Sequence, residues 1–477
     1  MKSRKASSFL FISGLLLFFL FGGFMRGAWA LTTEEEKELG KNILLEMEGK
    51  VEMVKDLTLQ TFVERVGRSL VAQVGSTPFE FRFYIINATD PNAFAIPGGY
   101  IFLTTGLIAL AENEYEVAGV LSHEISHVTA RHIAQIIEKS KRLNIATLAA
   151  VLAGALVGRG GKGSEAIVMT AMATSEALAL KYTREMETDA DQNSLHYLIK
   201  AGYNPDGLIN FLNRIYKISL TSAPQIPTYL STHPAIEDRI SLLENLLHAS
   251  QKPSSSLKAG GNFKRIQIKA FVEERDPNVA ITHFQSIVDA NSQDLDGYYG
   301  LGLAYRKMGR LDKSMEILQH AESLSPKNPD IRRELGIGYF LLGKLDQAIK
   351  TLEAKQSVSS GAGQEGDLMR IYYLGRAYQE KGDLTSALPI FVRVQKEVPG
   401  FTEVYSNLGS VYGRMGQKGR FHFYFGKHFK SIGDKKSALL HFRAADEWLE
   451  KGSPEREEVQ REIKELTKTK LDKRIDK

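Results

Sequence analysis

The pattern Leu-Gly-x-x-Tyr occurs four times in the second half of the chain, at Leu301-Gly302, Leu335-Gly336, Leu374-Gly375 and Leu408-Gly409, completed in turn by Tyr305, Tyr339, Tyr378 and Tyr412. The first glycines are 34, 39 and 34 residues apart, and seven residues after each stands another, Gly309, Gly343, Gly382 and Gly416. A fixed period of this length constrains the fold more than any other feature. One such unit cannot bury its apolar face alone and must lay it on the next, so the chain has to stack.

Helix-turn-helix units of this period, with Ala348 and Ala387 where the second helix must pack closely, are the tetratricopeptide signature. The 39-residue step contains an insertion around Ser359 to Gly363, which maps to an inter-repeat loop. Degenerate units flank the array, over Asn278 to Val288 and over Phe425 to Phe442, and Ser453-Pro454 opens a polar helix through Leu466 that caps it. A stack of this kind either binds a peptide or protein in its concave face or serves as a rigid spacer.

At 477 residues the chain is too long for one core at roughly 150 residues per domain. A Pro/Ser/Gly-rich stretch from Gln251 to Gly261 marks the boundary. The division expected is a leader over 1–30, a catalytic domain over 31–250, a linker over 251–262, repeats over 263–450 and a polar capping helix and tail over 451–477. In the leader Lys2, Arg4 and Lys5 precede an apolar run from Phe9 to Phe24, and Ala28-Trp29-Ala30 supplies a small-x-small cleavage site. Cleavage after Ala30, and so export, is expected; an uncleaved anchor is the competing reading. Removing 1–30 takes away four bases (Lys2, Arg4, Lys5, Arg26) and no acid, so the formal charge falls from +5 to +1 and gives no argument for nucleic acid. Cysteine is absent, which excludes disulfides, thiol catalysis and thiolate metal sites, so a metal would need His, Asp or Glu.

The fold class expected is mostly α, with a small sheet in the first domain. Thr33 with Glu34 to Glu36 reads as a capping box opening a helix to Met47, and a second helix spans Leu57 to Val74. Phe79 to Ile86 reads as a strand, and Phe94 to Leu103 as two extended pieces around Pro97-Gly98-Gly99. A helical pattern runs from Glu112 to Lys139. Two Ala-rich stretches within 143–180 read as buried core helices, or as a lid or peripheral membrane contact.

His123-Glu124-Ile125-Ser126-His127 is an H-E-x-x-H motif on that helix, where i,i+4 spacing puts both imidazoles on one face to hold one ion. Zinc suits imidazole and carboxylate ligands and keeps one position open for water, with Glu124 as the base. Glu187 and Asp191, again i,i+4, supply a carboxylate ligand and a carboxylate that orients a histidine, while Glu185 and Asp189 read as a solvated face. His132 reads as structural or surface. His233, in a loop before a helix, is a candidate for oxyanion stabilisation or for capping the metal, or is an ordinary loop histidine; Arg239 reads as helix surface.

Asn92 to Gly99, His123 to His127, Glu187 to Asp191 and Thr232-His233-Pro234 together resemble the zinc peptidase family of the prenyl-protein endopeptidases and the heat-shock membrane protease, over about residues 31 to 250. The resemblance implies a zincin-type domain with one Zn2+ on His123, His127 and Glu187. It implies an edge strand at Ala93, Phe94, Ala95 and Ile96, or at Tyr100 to Leu103, for an extended substrate. Exported members with repeats behind the peptidase imply a periplasmic enzyme for unfolded or misassembled envelope proteins, docked to the outer-membrane assembly machinery. The family's Glu-x-Glu-Ala-Asp stands here as Glu187-Thr188-Asp189-Ala190-Asp191.

Overall fold

The computed structural model describes residues 31–47, 50–139, 182–221, 227–249, 262–353 and 367–475. The leader, the stretches within 143–180, nearly all of the linker and the insertion at 359–363 lie outside them.

Helix α1 (Thr33–Met47) is opened by Thr32, not Thr33. The Thr32 Oγ1 accepts from the Glu35 N–H (3.2 Å), and Glu35 Oε2 accepts from the Thr32 N–H (2.8 Å). Thr33 with Glu36 has the same spacing, but Glu36 is drawn inside to pair with Arg131 at 2.6 Å. Helix α2 (Leu57–Val71) starts from Asp56, whose carboxylate accepts from the Leu59 N–H, and stops short of Val74.

Three strands follow: β1 (Arg82–Ile86), β2 (Ala93–Ile96) and β3 (Tyr100–Thr104), in the order β1-β3-β2, with β1 parallel and β2 antiparallel to the central β3. Period-2 alternation gives the sheet two buried faces. Phe83, Ile85, Ala93, Ala95, Ile101 and Leu103 join the large core, whereas Ile86, Phe94, Ile96 and Phe102 pack with Ile43, Met47 and Ile136. Of the two expected edge candidates, 93–96 is the edge and 100–103 the centre.

Beyond the short α3 (Thr105–Leu110), the expected helix over Glu112 to Lys139 is two: α4 (Glu114–Thr129) and α5 (His132–Lys139). The break is at Arg131, in the left-handed region at φ 56°, a conformation costing about 1–2 kcal/mol outside glycine. Its guanidinium is tied to Glu36 and to the Leu31 carbonyl, which holds it there. Helices α6 (Arg184–Ala201), α7 (Asp206–Thr221), α8 (Thr228–Thr232) and α9 (Ile236–Ala249) complete the domain. No helix among the described residues is long and apolar enough to cross a membrane.

The repeats alternate as expected: α10 (Phe263–Glu274), α11 (Pro277–Ala290), α12 (Leu295–Lys307), α13 (Leu311–Leu324), α14 (Pro329–Leu341), α15 (Leu345–Glu353), α16 (Leu368–Lys381), α17 (Leu384–Glu397), α18 (Val404–Arg414), α19 (Lys418–Ser431) and α20 (Lys435–Trp448). The terminal α21 (Pro454–Ile475) runs past Leu466. Gly309, Gly343, Gly382 and Gly416 each turn the chain between paired helices at φ 72–90°.

The two parts share packing. Ala270 of α10 belongs to the core of the first domain, and Gln267 donates to the Ala109 and Ala111 carbonyls at 3.0 Å. In the other direction Leu57 packs among Ile337, Leu368 and Tyr372. Lys269, buried, bridges Asp56 (3.0 Å) and Glu334 (3.2 Å).

Helix α4 sits hard against α7 through Gly119, where an added Cβ would lie 2.6 Å from the Leu208 backbone nitrogen. Gly119→Ala is expected to cost about 1–3 kcal/mol by forcing the helices apart. A urea midpoint equal to wild type would show that the contact yields freely.

Candidate metal centre

Helix α4 opens at Asn113, whose side chain accepts from the Glu116 N–H at 3.2 Å, and then runs through the interior. His123, Glu124 and His127 are therefore carried into the core with no exposed surface. One turn apart, the two imidazoles bring their Nε2 atoms within 3.0 Å of each other. Their Nδ1 atoms point away: that of His123 lies 2.9 Å from Asp191 Oδ1, that of His127 3.0 Å from His132 Nδ1.

Helix α6 supplies the acids. Thr183 caps it, accepting from the Met186 N–H at 3.3 Å, and Glu187 and Asp191 lie one turn apart on its buried face. Glu187 places Oε2 3.3 Å from His123 Nε2 and Oε1 3.6 Å from His127 Nε2. His233 ends α8, with Nδ1 3.0 Å from Glu187 Oε1 and Nε2 3.5 Å from Glu124 Oε1. His123, His127, Glu187 and His233, all buried, each offer one ligand atom, and these lie within 4.8 Å of one another. Tyr182 stacks on His127 (centroids 3.8 Å apart) and Tyr229 on His233 (4.6 Å), closing the group with aromatic faces.

One sequence reading needs correction here. Arg239 is not surface: only 2% exposed, it donates from Nε and Nη2 to Asp191 at 2.8 Å each, and its Nη1 stands 2.7 Å from Glu187 Oε2. The available signal was its place on the stripe Ile236, Ile240, Leu243, where a charge must be paired. Of the two readings open for His132, structural or surface, the structure gives the first: it is buried against His127, because the break at Arg131 swings α5 back. Asp189 is half exposed, in keeping with a solvated face, and also reaches His132 Nε2 at 3.3 Å.

Burial pushes the Glu124 carboxyl up, only partly offset by His233 and His123. Burial opposes ionisation of Glu187 too, but the Arg239 guanidinium, aided by His233 and His123, outweighs it and holds that carboxyl well below the ordinary range. Burial and Arg239 disfavour charge on His123, yet Asp191 and Glu187 prevail and push it up to about 9. His127 is held well below its ordinary value by burial and then by His123. The environment thus favours one added positive charge at the point the two Nε2 atoms share.

Both Glu124 oxygens and His233 Nε2 are buried without a hydrogen-bond partner in the protein. Such atoms are costly in a dry interior, and a divalent cation with a water would satisfy them, so the residues present fit a metal. In chelator-treated protein, Arg239→Met should cost about 3–5 kcal/mol at pH 7 by leaving two buried carboxylates with only His123 and His233 to offset them. Glu187 and Asp191 lie below their ordinary values in wild type. Their stabilisation is therefore full above the unfolded values and lost as pH falls through the folded ones. In the variant burial raises them instead, so its deficit should shrink as pH drops from 7 to 5. A urea-measured deficit under about 1 kcal/mol would remove Arg239 from this role.

Residues 57–247 match the family model described as Peptidase family M48, and residues 295–328 that of a tetratricopeptide repeat. A Vibrio cholerae protein provisionally given the name beta-barrel assembly-enhancing protease is 32% identical over 306 residues, 62% of either chain. The beta-barrel assembly-enhancing protease of Escherichia coli is 29% identical over 218 residues, 45% of this chain and 44% of that one. The mitochondrial metalloendopeptidase OMA1 of Schizosaccharomyces pombe is 28% identical over 190 residues, 40% of this chain and 53% of that one. The chain spans less than two thirds of the length of these relatives.

Proposed function

We propose that this chain, in which residues 57–247 are a Peptidase family M48 domain with tetratricopeptide repeats behind it, is a zinc-dependent endopeptidase of the periplasm acting on misfolded or stalled outer-membrane and other envelope proteins. One observation carries the chemistry: two imidazole Nε2 atoms 3.0 Å apart meet the Glu187 carboxylate beside Glu124, whose oxygens are buried and unpartnered. The choice of client rests on the similarity to proteins named for β-barrel assembly and on the leader expected at 1–30.

In this reading His123, His127 and Glu187 hold the ion, a ligand set with which zinc keeps an open position. Bound there, zinc supplies Lewis acidity toward a water and a peptide carbonyl. Asp191 accepts from the His123 Nδ1–H and so leaves Nε2 free, and Arg239 pins both carboxylates. Glu124 takes the proton of the attacking water on a carboxylate oxygen and delivers it to the leaving amine nitrogen. Burial raises its carboxyl, which suits a group that must both accept and release that proton.

The client is taken to add as a strand beside Ala93, Phe94, Ala95 and Ile96. All four are buried in this structure, as is every member of the metal centre. That burial favours a second reading for the resting protein, a chaperone or adaptor scaffold whose peptidase site is shut, with His233 in the ligand group as the closing element and the repeats docking the client or the assembly machinery.

Glu124→Gln is expected to retain zinc and to lose at least about 100-fold in cleavage of an unfolded protein, while a chelator removes metal and activity together. Cleavage by the variant at the wild-type rate would end the proposed general base. His233→Ala is expected to raise basal proteolysis if His233 closes the site. A fall instead assigns it to the chemistry, and an unchanged rate returns it to an ordinary loop histidine.

A further inference from the structure

The two imidazoles of the centre are supported differently. His123 Nδ1 meets a carboxylate directly, Asp191 Oδ1 at 2.9 Å. His127 Nδ1 meets another imidazole, His132 Nδ1 at 3.0 Å, and His132 Nε2 in turn faces Asp189 Oδ2 at 3.3 Å. Two Nδ1 atoms at that distance form a hydrogen bond only if one carries the proton and the other does not.

Resting on the metal centre proposed above, we propose that His132 is a positioning residue that fixes His127 as a ligand, through a relay ending on Asp189. The proton assignment has one consistent solution. For Nε2 of neutral His127 to offer its lone pair, Nδ1 must carry the hydrogen and donate to His132 Nδ1. The hydrogen of neutral His132 is then on Nε2, where the Asp189 carboxylate accepts it. The reverse assignment puts a hydrogen on His127 Nε2, pointing it at His123 Nε2 and the Glu187 carboxylate, and blocks ligation.

The backbone is built for this contact. In an unbroken helix position 132 would lie 500° on from 127, that is about 140° round the axis and off its face. The left-handed Arg131 breaks the helix and turns His132 back onto His127, with ring centroids 5.1 Å apart. His132 is 5% exposed and Asp189 has its side chain half in solvent, so the relay ends at the protein's edge.

The test compares near-isosteres. In His132→Asn an oxygen stands at the δ position where Nδ1 was and can still accept; in His132→Leu a methyl stands there and cannot. Zinc affinity of the full chain, read by competition with a chromophoric chelator, is expected to fall about 10–100-fold in His132→Leu. It should recover to within several-fold of wild type in His132→Asn, with equal urea midpoints for the two chelator-treated variants. A purely structural role would not separate such a pair. Should His132→Leu fold poorly, Asp189→Ala, at a half-exposed site, should still weaken zinc several-fold. Wild-type affinity in both His132→Leu and Asp189→Ala, or an equal loss in Leu and Asn, overturns the inference and leaves the metal centre standing. A wild-type chain that takes up no zinc overturns the centre itself, and the relay with it.

Discussion

A carboxylate in a dry interior must be paired, and here two of them, Glu187 and Asp191, stand one turn apart on α6 with no exposed surface. Arg239 spans both, donating to each Asp191 oxygen and standing against Glu187 Oε2, and so sets how the two carboxylates face the histidines. One Asp191 oxygen meets His123 Nδ1, and Glu187 faces both Nε2 atoms. The guanidinium thus keeps two acids ionised where burial alone would neutralise them. Lysine in the same place could not present a fork to both.

That cluster requires helices held in close register from three parts of the chain. Gly119 lets α4 press on α7, the sheet packs both its faces, and the break at Arg131 lets α1 and α5 close over the second face. The repeats are tied into the same frame. Asp56 both caps α2 and pairs with Lys269 of α10, while Glu334 receives Lys269, Arg306 and Arg333. A buried charge network of this kind tolerates loss of a member badly, since each remaining charge would be stranded. Relative movement of the first domain and the first repeats must therefore either carry the network as one body or break several ion pairs together. Leu57, at the N-terminus of α2, sits in the repeat core and so adds an apolar penalty to the same movement.

What could be read from the chain alone follows the range of the physics involved. The repeats were legible because their determinants are periodic and local: a glycine turns each helix pair, and Ala348 and Ala387 are buried where small residues were needed. The grouping of His123, Glu124 and His127 on one face was legible for the same reason, helical spacing. Bringing Glu187 and His233 to them depends on how α6 and α8 pack, which no local rule supplies; i,i+4 spacing and a loop position marked them as candidates, and the family resemblance joined them to the motif. Arg239 was misread and His132 left between structural and surface because each looks ordinary within its own segment, an arginine on a helix and a histidine five positions past a motif. What makes Arg239 interior is an apolar stripe that only closes against α6. What makes His132 interior is one residue, Arg131, forced into a left-handed conformation by Glu36 some ninety positions earlier. A uniform helix is the correct local reading of Glu112 to Lys139, and a single long-range ion pair overrules it. The supports of a buried polar site are thus the part least visible in sequence, because their partners are chosen by tertiary packing while the two imidazoles of the motif obey the helix.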